Sequence, residues 1–397
     1  MQRVMWTSLS AVECLMVLEL LCLVLGLNAP SVNMRPCPFS SLLSCAIGRR
    51  IVNEQPVRTA AILAPVLSGF AAVDGGLCRV TAISNFVRKV QSRGTFGHIF
   101  PQIASLPLAG VDGAIPDPER ILQLHSDAVV AWRIQSEALR KTGYPGLVEL
   151  EYLSRRSLFD IWTRLSEVVG REGRARALWD DAEATQRELQ DALPPTEKAS
   201  VLPAVPSAAG WWIGGRNYEL NALLEHVGAF NPAWDLFVSG TVDAEEILRF
   251  DPDVIVIPSF SDEAAPGLLY SDPRWQALRA VHQRRIYLMP VSSLFNAPVD
   301  ETLLLIWLGE VLHPSLSRMT RAAYHKSYAR AYYYDLSDDE IDDALFMKEN
   351  AESVGYARFA RETGASSQLT LQDDGEQGRR STEIRRPERC LDGRQTR

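Results

Sequence analysis

The residues best placed to do chemistry are aromatics and cations that follow short apolar runs. Trp132 and Arg133 close the run Asp127-Ala128-Val129-Val130-Ala131, and Trp211-Trp212 with Arg216 follow a run ending near Val205. Pro258-Ser259-Phe260 follows Val254 to Ile257, and Phe295-Asn296 follows a run ending at Met289. Aromatic faces with a few fixed polar groups suit a bulky, partly apolar ligand. An arginine adds a two-pronged clamp for a carboxylate or another anionic oxygen. Candidate ligand-binding residues are therefore Trp132, Arg133, Trp211, Trp212, Arg216, Phe260 and Phe295. The competing use of the tryptophans is simple interior packing.

Groups that would turn a substrate over do not assemble in the sequence. There is no Gly-x-x-x-x-Gly-Lys-Ser/Thr phosphate loop, no Gly-x-Ser-x-Gly elbow and no His-Glu-x-x-His, so no catalytic residue is nominated. The histidines are His98, His125, His226, His282, His313 and His325, and their spacing offers no metal cluster. Only His98, in Gly94-Thr95-Phe96-Gly97-His98, reads as a mouth-loop residue; His226 and His313 read as structural. No covalently bound cofactor is expected.

Composition narrows the class further. The 397 residues are 46% hydrophobic and 23% charged, which excludes global disorder. Forty-one basic against 49 acidic residues leave a net charge of −8, against a broad nucleic-acid surface. Six cysteines without a Cys-x-x-Cys pair do not make a disulfide scaffold.

The elements that must position these residues alternate in type. Short runs such as Arg79 to Ile83, Asp127 to Trp132, Ser200 to Val205, Val254 to Ile257 and Arg285 to Met289 read as strands buried on both faces, with Arg50 to Val52 as a first strand. Amphipathic stretches separate them, which implies βαβ units. The strands fall into two groups joined by a helical stretch from Leu158 to Leu193, with Gly170 and Gly173 marking a break and Pro194-Pro195 a stop. The expected fold is α/β, two Rossmann-like lobes with parallel central sheets joined by a single long helix. The expected divisions are a signal peptide over 1–29, an N-terminal lobe over 48–157, a connector over 158–195, a C-terminal lobe with closing helices over 196–363, and a disordered tail over 364–397. Arg3, the apolar run from Ala11 to Leu27 and Ala29-Pro30 carry the signal-peptide reading. Leu42-Leu43-Ser44-Cys45 leaves lipidation as an alternative, so the expected place is the periplasm or the outer face of the membrane.

Several segments in order then resemble one family. They are Val73 to Val80, Asp117 to Val129, Asn217 to Gly228 with Asn231, Asp243 to Val256, Trp275 to Val281 with Arg285 to Tyr287, and Trp307-Leu308 with His313-Pro314 and Tyr332-Tyr333. Together, from about Arg50 to Arg361, they resemble the substrate-binding proteins of ABC importers for iron–siderophore, haem and cobalamin, the helical-backbone periplasmic-binding class. The resemblance implies a monomeric, non-enzymatic receptor that captures an iron chelate, haem or a corrinoid between two lobes and delivers it to a permease with its ATPase subunits. It also implies that Glu119 and Glu245, with Glu246 as an alternative, dock to that permease. A receptor for bare zinc or manganese and a two-lobed α/β enzyme are the rival readings.

Overall fold

The computed structural model describes residues 57–361, apart from 93, 110–116, 152–154, 196, 208–209, 217, 237–238, 260–264 and 291–297. The expected leader, the strand at 50–52 and the tail lie outside the described residues.

In the first lobe, β1 (Ala60–Ile62), β2 (Val80–Ile83), β3 (Ala128–Trp132) and β4 (Leu147–Leu150) form a parallel sheet in the order β2-β1-β3-β4. Sequence reading assigns no strand to 60–62, because Ala60-Ala61 and Ala64 look like helix formers. Pairing on both edges makes this segment a strand regardless of propensity. The second sheet holds β5 (Ala199–Ser207), β6 (Gly210–Ile213), β7 (Ala229–Phe230), β8 (Gly240–Val242), β9 (Val254–Ile257) and β10 (Ile286–Leu288). Its order is β10-β9-β5-β6-β8, with β7 beside the start of β5. This sheet is mixed rather than wholly parallel: β6 runs antiparallel to both β5 and β8. Two residues separate β5 from β6, and so short a link permits only a hairpin.

Each lobe opens on the same bracket. Asp127 Oδ2 accepts the backbone N–H groups of Arg58 at 2.8 Å and Thr59 at 3.0 Å, while the Thr59 hydroxyl accepts from the Asp127 amide at 3.0 Å. Asp253 Oδ2 accepts from Ser200 N at 2.9 Å, and the Ser200 hydroxyl accepts from the Asp253 amide at 2.9 Å. The bracket sets β1 against β3 and β5 against β9 in matching register. Hydrogen bonding from the Arg58 amide holds the Asp127 carboxyl below its ordinary range. Burial would raise Asp253, but Ser200 and the Arg279 guanidinium outweigh it and hold it low.

The principal helices are α1 (Leu67–Asp74), α2 (Gly94–Ile99), α3 (Pro118–Gln123), α4 (Arg155–Val169), α5 (Glu172–Ala192), α6 (Leu220–His226), α7 (Ala244–Phe250), α8 (Pro298–Leu312), α9 (Thr320–Tyr332) and α10 (Asp338–Ala344). The stretch expected to be one connecting helix is two. Gly170 adopts φ +71°, a left-handed turn that favours glycine, and the Arg171 amide donates to Ser166 O at 2.8 Å. The chain then folds back on itself. The Trp162 and Trp179 rings lie 5.2 Å apart, and Phe159 to Trp179 is 5.1 Å. A straight helix would hold residues 162 and 179 about 25 Å apart. The connector is an elbow.

Period-two alternation explains how two sheets share one interior. Ala60, Ile62, Ala128 and Val130 face a core that also takes Val254, Val256 and Tyr287 from the second sheet. Around them pack Trp162 of α4, Leu189 of α5, Trp307 of α8 and Tyr324 of α9. The intervening residues face private cores: Ala61, Val129 and Ala131 in the first lobe, Ile255, Ile257, Ile286 and Leu288 in the second. Arg174 ties the parts at one point. Its Nε donates to Ala72 O of α1 at 3.2 Å and its Nη2 to Ala331 O of α9 at 3.2 Å, with the guanidinium 5.1 Å over the Tyr333 ring.

Two polar networks fix the closing helices. Ser337 caps α10, its hydroxyl accepting from the Glu340 amide while Glu340 Oε2 accepts from Ser337 N at 2.7 Å. Before it, the buried Glu310 carboxylate accepts from Met319 N, Thr320 N and the Thr320 hydroxyl, each at 2.7 Å, and pairs with Arg358 at 3.1 Å. Glu310→Ala should cost about 3–5 kcal/mol, because it leaves two amides and the Thr320 hydroxyl without their acceptor and removes the counter-charge of the half-buried Arg358. Glu310→Gln, which keeps an acceptor, should cost less. Urea unfolding of the two variants checks the order.

Candidate functional site

In open α/β sheets ligands sit at the carboxyl ends of the strands, so the nominated residues can be placed strand by strand. β3 ends on Trp132, which is half-buried and packs against the shared core. Gln135 Oε1 accepts its backbone N–H at 3.4 Å. Arg133 next to it is exposed and stands 3.7 Å from Glu151, just past the end of the neighbouring β4. Trp132, Arg133 and Glu151 thus share one edge of the first lobe, an aromatic face beside charges of both signs.

In the second lobe the tandem tryptophans part company. Adjacent strand residues point to opposite faces. Trp211 is 1% exposed and sits edge-on against Trp275 at 5.0 Å inside the second lobe's private core. It has no surface to offer a ligand, which corrects its nomination. Trp212 remains half-buried and meets Tyr218 edge-on at 5.4 Å. That pairing needs Gly214, because a Cβ there would come within 2.5 Å of the Tyr218 ring. The turn after it is wired in place: Asn231 Nδ2 donates to Gly214 O at 2.7 Å, and Asn221 Nδ2 donates to Gly215 O at 2.9 Å and Arg216 O at 3.0 Å. Arg216 is exposed, donates to Trp234 O at 3.0 Å and lies 5.7 Å from the exposed Trp234 ring. Phe260 and Phe295 lie outside the described residues.

His98 is in helix α2 rather than a loop, and its Nε2 lies 3.1 Å from Glu340 of the capping box. His313 is buried and contacts Val227 O at 2.7 Å, a structural use. Among the described residues no three His, Cys, Asp or Glu side chains converge on a metal position, and no helix is long and apolar enough to cross a membrane.

Glu119 and Glu245 occupy equivalent places. Each is the second residue of a short helix, α3 or α7, whose Asp cap (Asp117 or Asp243) accepts first-turn amides. Each is exposed. Neither has an ion-pair partner among the described residues, whereas Glu246 is paired with Arg249. Of the two, Glu245 rather than Glu246 is the one without an ion pair among the described residues.

Sequence reading missed one polar cluster, between the first lobe and the closing helices. Tyr324, Tyr328 and Tyr332 recur every four residues and therefore share one face of α9. Their rings run in a column, 6.0 Å and 5.3 Å between neighbours, continued by Phe96 at 5.5 Å and Phe100 at 5.9 Å. Asp300, in the first turn of α8, acts electrostatically on all three tyrosines. Asp300 keeps part of its surface open, yet the protein packed around it pushes its carboxyl up to about 7. Burial likewise pushes the three phenols well up. Thr95 partners the Tyr328 hydroxyl. Ser68, in the first turn of α1, lies beside Tyr332, but neither hydroxyl reaches hydrogen-bond geometry. The four-residue tyrosine spacing was the available signal, and it reads equally well as an ordinary packed helix face.

With this geometry in hand, the comparisons are consistent. Residues 107–292 match the sequence profile of the periplasmic binding protein family. The fold is similar to a periplasmic solute binding protein from Veillonella parvula, at 24% identity and TM-score 0.66, over 75% of this chain and 94% of that one. It is similar to the molybdate-bound periplasmic protein MolA of Haemophilus influenzae, at 18% and 0.63, over 73% and 97%. It is also similar to the haem-binding protein BhuT with two haems bound, at 19% and 0.53, over 66% and 100%. No curated protein matches the sequence. The two-lobed α/β fold is shared with these solved structures.

One buried acid near the Trp212 turn carries a pH signature. Burial pushes the Glu219 carboxyl up to about 6. A raised carboxyl contributes stability that is present at low pH and lost as pH rises from the unfolded value through 6. Glu219→Gln should therefore be more stable than the parent at pH 8 by on the order of 1 kcal/mol, and indistinguishable from it near pH 4.5. Denaturant midpoints at the two pH values check this.

Proposed function

We propose that this periplasmic solute-binding protein captures a metal complex, either an iron chelate, haem or a corrinoid, at the strand ends facing its two lobes and hands it to an ABC permease. Binding, not turnover, is the activity. One observation carries the delivery half of this reading. Each lobe presents an exposed carboxylate at the same register, Glu119 before β3 and Glu245 before β9, without an ion-pair partner among the described residues. A lone glutamate in a helix's first turn is accounted for by the helix dipole. Two of them, repeated lobe for lobe, suit a surface that meets a pair of cationic sites on a two-fold permease.

The capture half rests on Trp132, Arg133, Trp212 and Arg216, aromatic faces with cations at strand ends. Solved proteins of similar fold carry small solutes: molybdate, nickel with histidine, and haem. Cys78 is disulfide-bonded, the habit of an oxidising compartment, and supports a periplasmic or outer-face location.

Charge pairs at such a surface set encounter rate and register more than affinity. Glu119→Ala and Glu245→Ala should leave solute binding unchanged and lower uptake in cells, with the double variant worse than either. Uptake by the double variant at the parent rate would sink the docking role. Native mass spectrometry of the protein from its own periplasm identifies the solute, and Trp132→Ala should reduce the fraction of protein carrying it.

A further inference from the structure

Helices α5 and α9 both pack against α8. They also meet each other, where Arg330 of α9 pairs with Asp181 of α5 and Arg174 donates to Ala331 O at 3.2 Å. Alongside that contact the three helices leave a cavity of about 280 Å³. Its origin is visible in the side chains that face it: Ala182 on α5, and Ala322 and Ala323 on α9. An alanine cannot reach across to a neighbouring helix, so the space stays unfilled. Packed interiors keep few voids larger than a water molecule, and this one is close to the size at which small-molecule sites begin, about 300 Å³.

The lining sorts by depth. Leu178 of α5 and Val299 and Ile306 of α8 are buried and make an apolar floor. Arg318, Ala322, Lys326 and Arg330 recur every four residues, the first just before α9, and so share one face. All four line the cavity, with the three cations exposed at its rim. Asp181 and Glu188 of α5 line the opposite wall. The Asp181–Arg330 pair cancels, which leaves Arg318 and Lys326 against Glu188 and an excess of positive charge among the described residues.

The two layers together define the guest. An apolar cavity stays dry and accepts apolar matter. At an exposed rim, a carboxylate keeps part of its water while accepting charge-assisted hydrogen bonds from a guanidinium or an ammonium. A cationic head group would meet like charges there. We propose that the cavity between α5, α8 and α9 is a second small-molecule site, for an amphiphilic monocarboxylate whose apolar body lies on Leu178, Val299 and Ile306 and whose carboxylate lies between Arg318 and Lys326. None of the residues nominated at the strand ends lines it, so the site stands independently of the receptor reading. Binding forms no covalent bond.

Isothermal titration calorimetry of the whole chain with octanoate tests the site. The expected result is one octanoate per chain, and no binding of octylammonium, which has the same tail and the opposite charge. Arg318→Ala/Lys326→Ala, at exposed positions, should weaken octanoate binding about tenfold. Ala323→Leu, which fills the void, should abolish it, and Ala182→Val, which fills it from the α5 side, should weaken it. Far-UV circular dichroism of each sample shows which variants are folded. Failure of the parent protein to bind octanoate, or binding of octylammonium as tight as octanoate, overturns the proposal. So does parent affinity in the Arg318→Ala/Lys326→Ala variant or in a folded void-filling variant.

Discussion

The constraint that organises the molecule is that its central strands are buried on both faces. A strand in that position must divide its side chains between two interiors, and in this chain one of the two is common property. Ile62 and Val130 of one sheet and Val254 and Val256 of the other end in the same core. Neither lobe can close that face alone. The folded-back pair α4 and α5 and the long apolar α8 exist to fill the space between them. Trp162 and Trp307 are the largest pieces of that filling, with Leu189 packed in the same core. Burial of this kind contributes about 25 cal/mol per Å² of apolar surface, so the interface between lobes is bound as firmly as a domain interior. The strand ends that hold Trp132 and Trp212 inherit their positions from it.

Much of this was legible in the sequence, for physical reasons that can be named. Val254-Ile255-Val256-Ile257 could only be a strand with two buried faces. Ser337 and Glu340 could only be a helix start. The connector's break was visible at Gly170. What could not be read was direction and partnership. Ala60-Ala61-Ile62 is a strand because β2 and β3 flank it, not because of its own preference. The β5–β6 hairpin hides behind Ser207 to Gly210, which lack the usual Asn-Gly turn. Trp211 and Trp212 are chemically identical and adjacent, and only the pleat decides which one is core.

The candidate site divides along the same line. Short-range features were visible: the Asp-capped helices that present Glu119 and Glu245, and the cations that follow strands. The tyrosine column was not, because its significance lies in what meets it. Asp300 comes from another helix, and Ser68 and Thr95 come from another lobe. A tyrosine every fourth residue is ordinary until the elements packed against it are known. Hydrogen-bond satisfaction is a property of a three-dimensional neighbourhood, and sequence spacing records only one of its coordinates.

Arg174 gives the arrangement a mechanical meaning. Covalently, the two lobes are joined once, through α5. Yet this guanidinium, rooted on α5, grips the carboxyl end of α1 on one side and of α9 on the other. The aromatic contact from Tyr332 to Phe96 and the pair His98–Glu340 add a second seam farther out. The lobes are therefore coupled like two plates held by springs in parallel, whose stiffnesses add. Rocking about the connector must stretch the seam of the closing helices as well. The amplitude of opening is then set by the sum of the two, so the seam at the far end of the chain narrows a motion that the connector alone would allow.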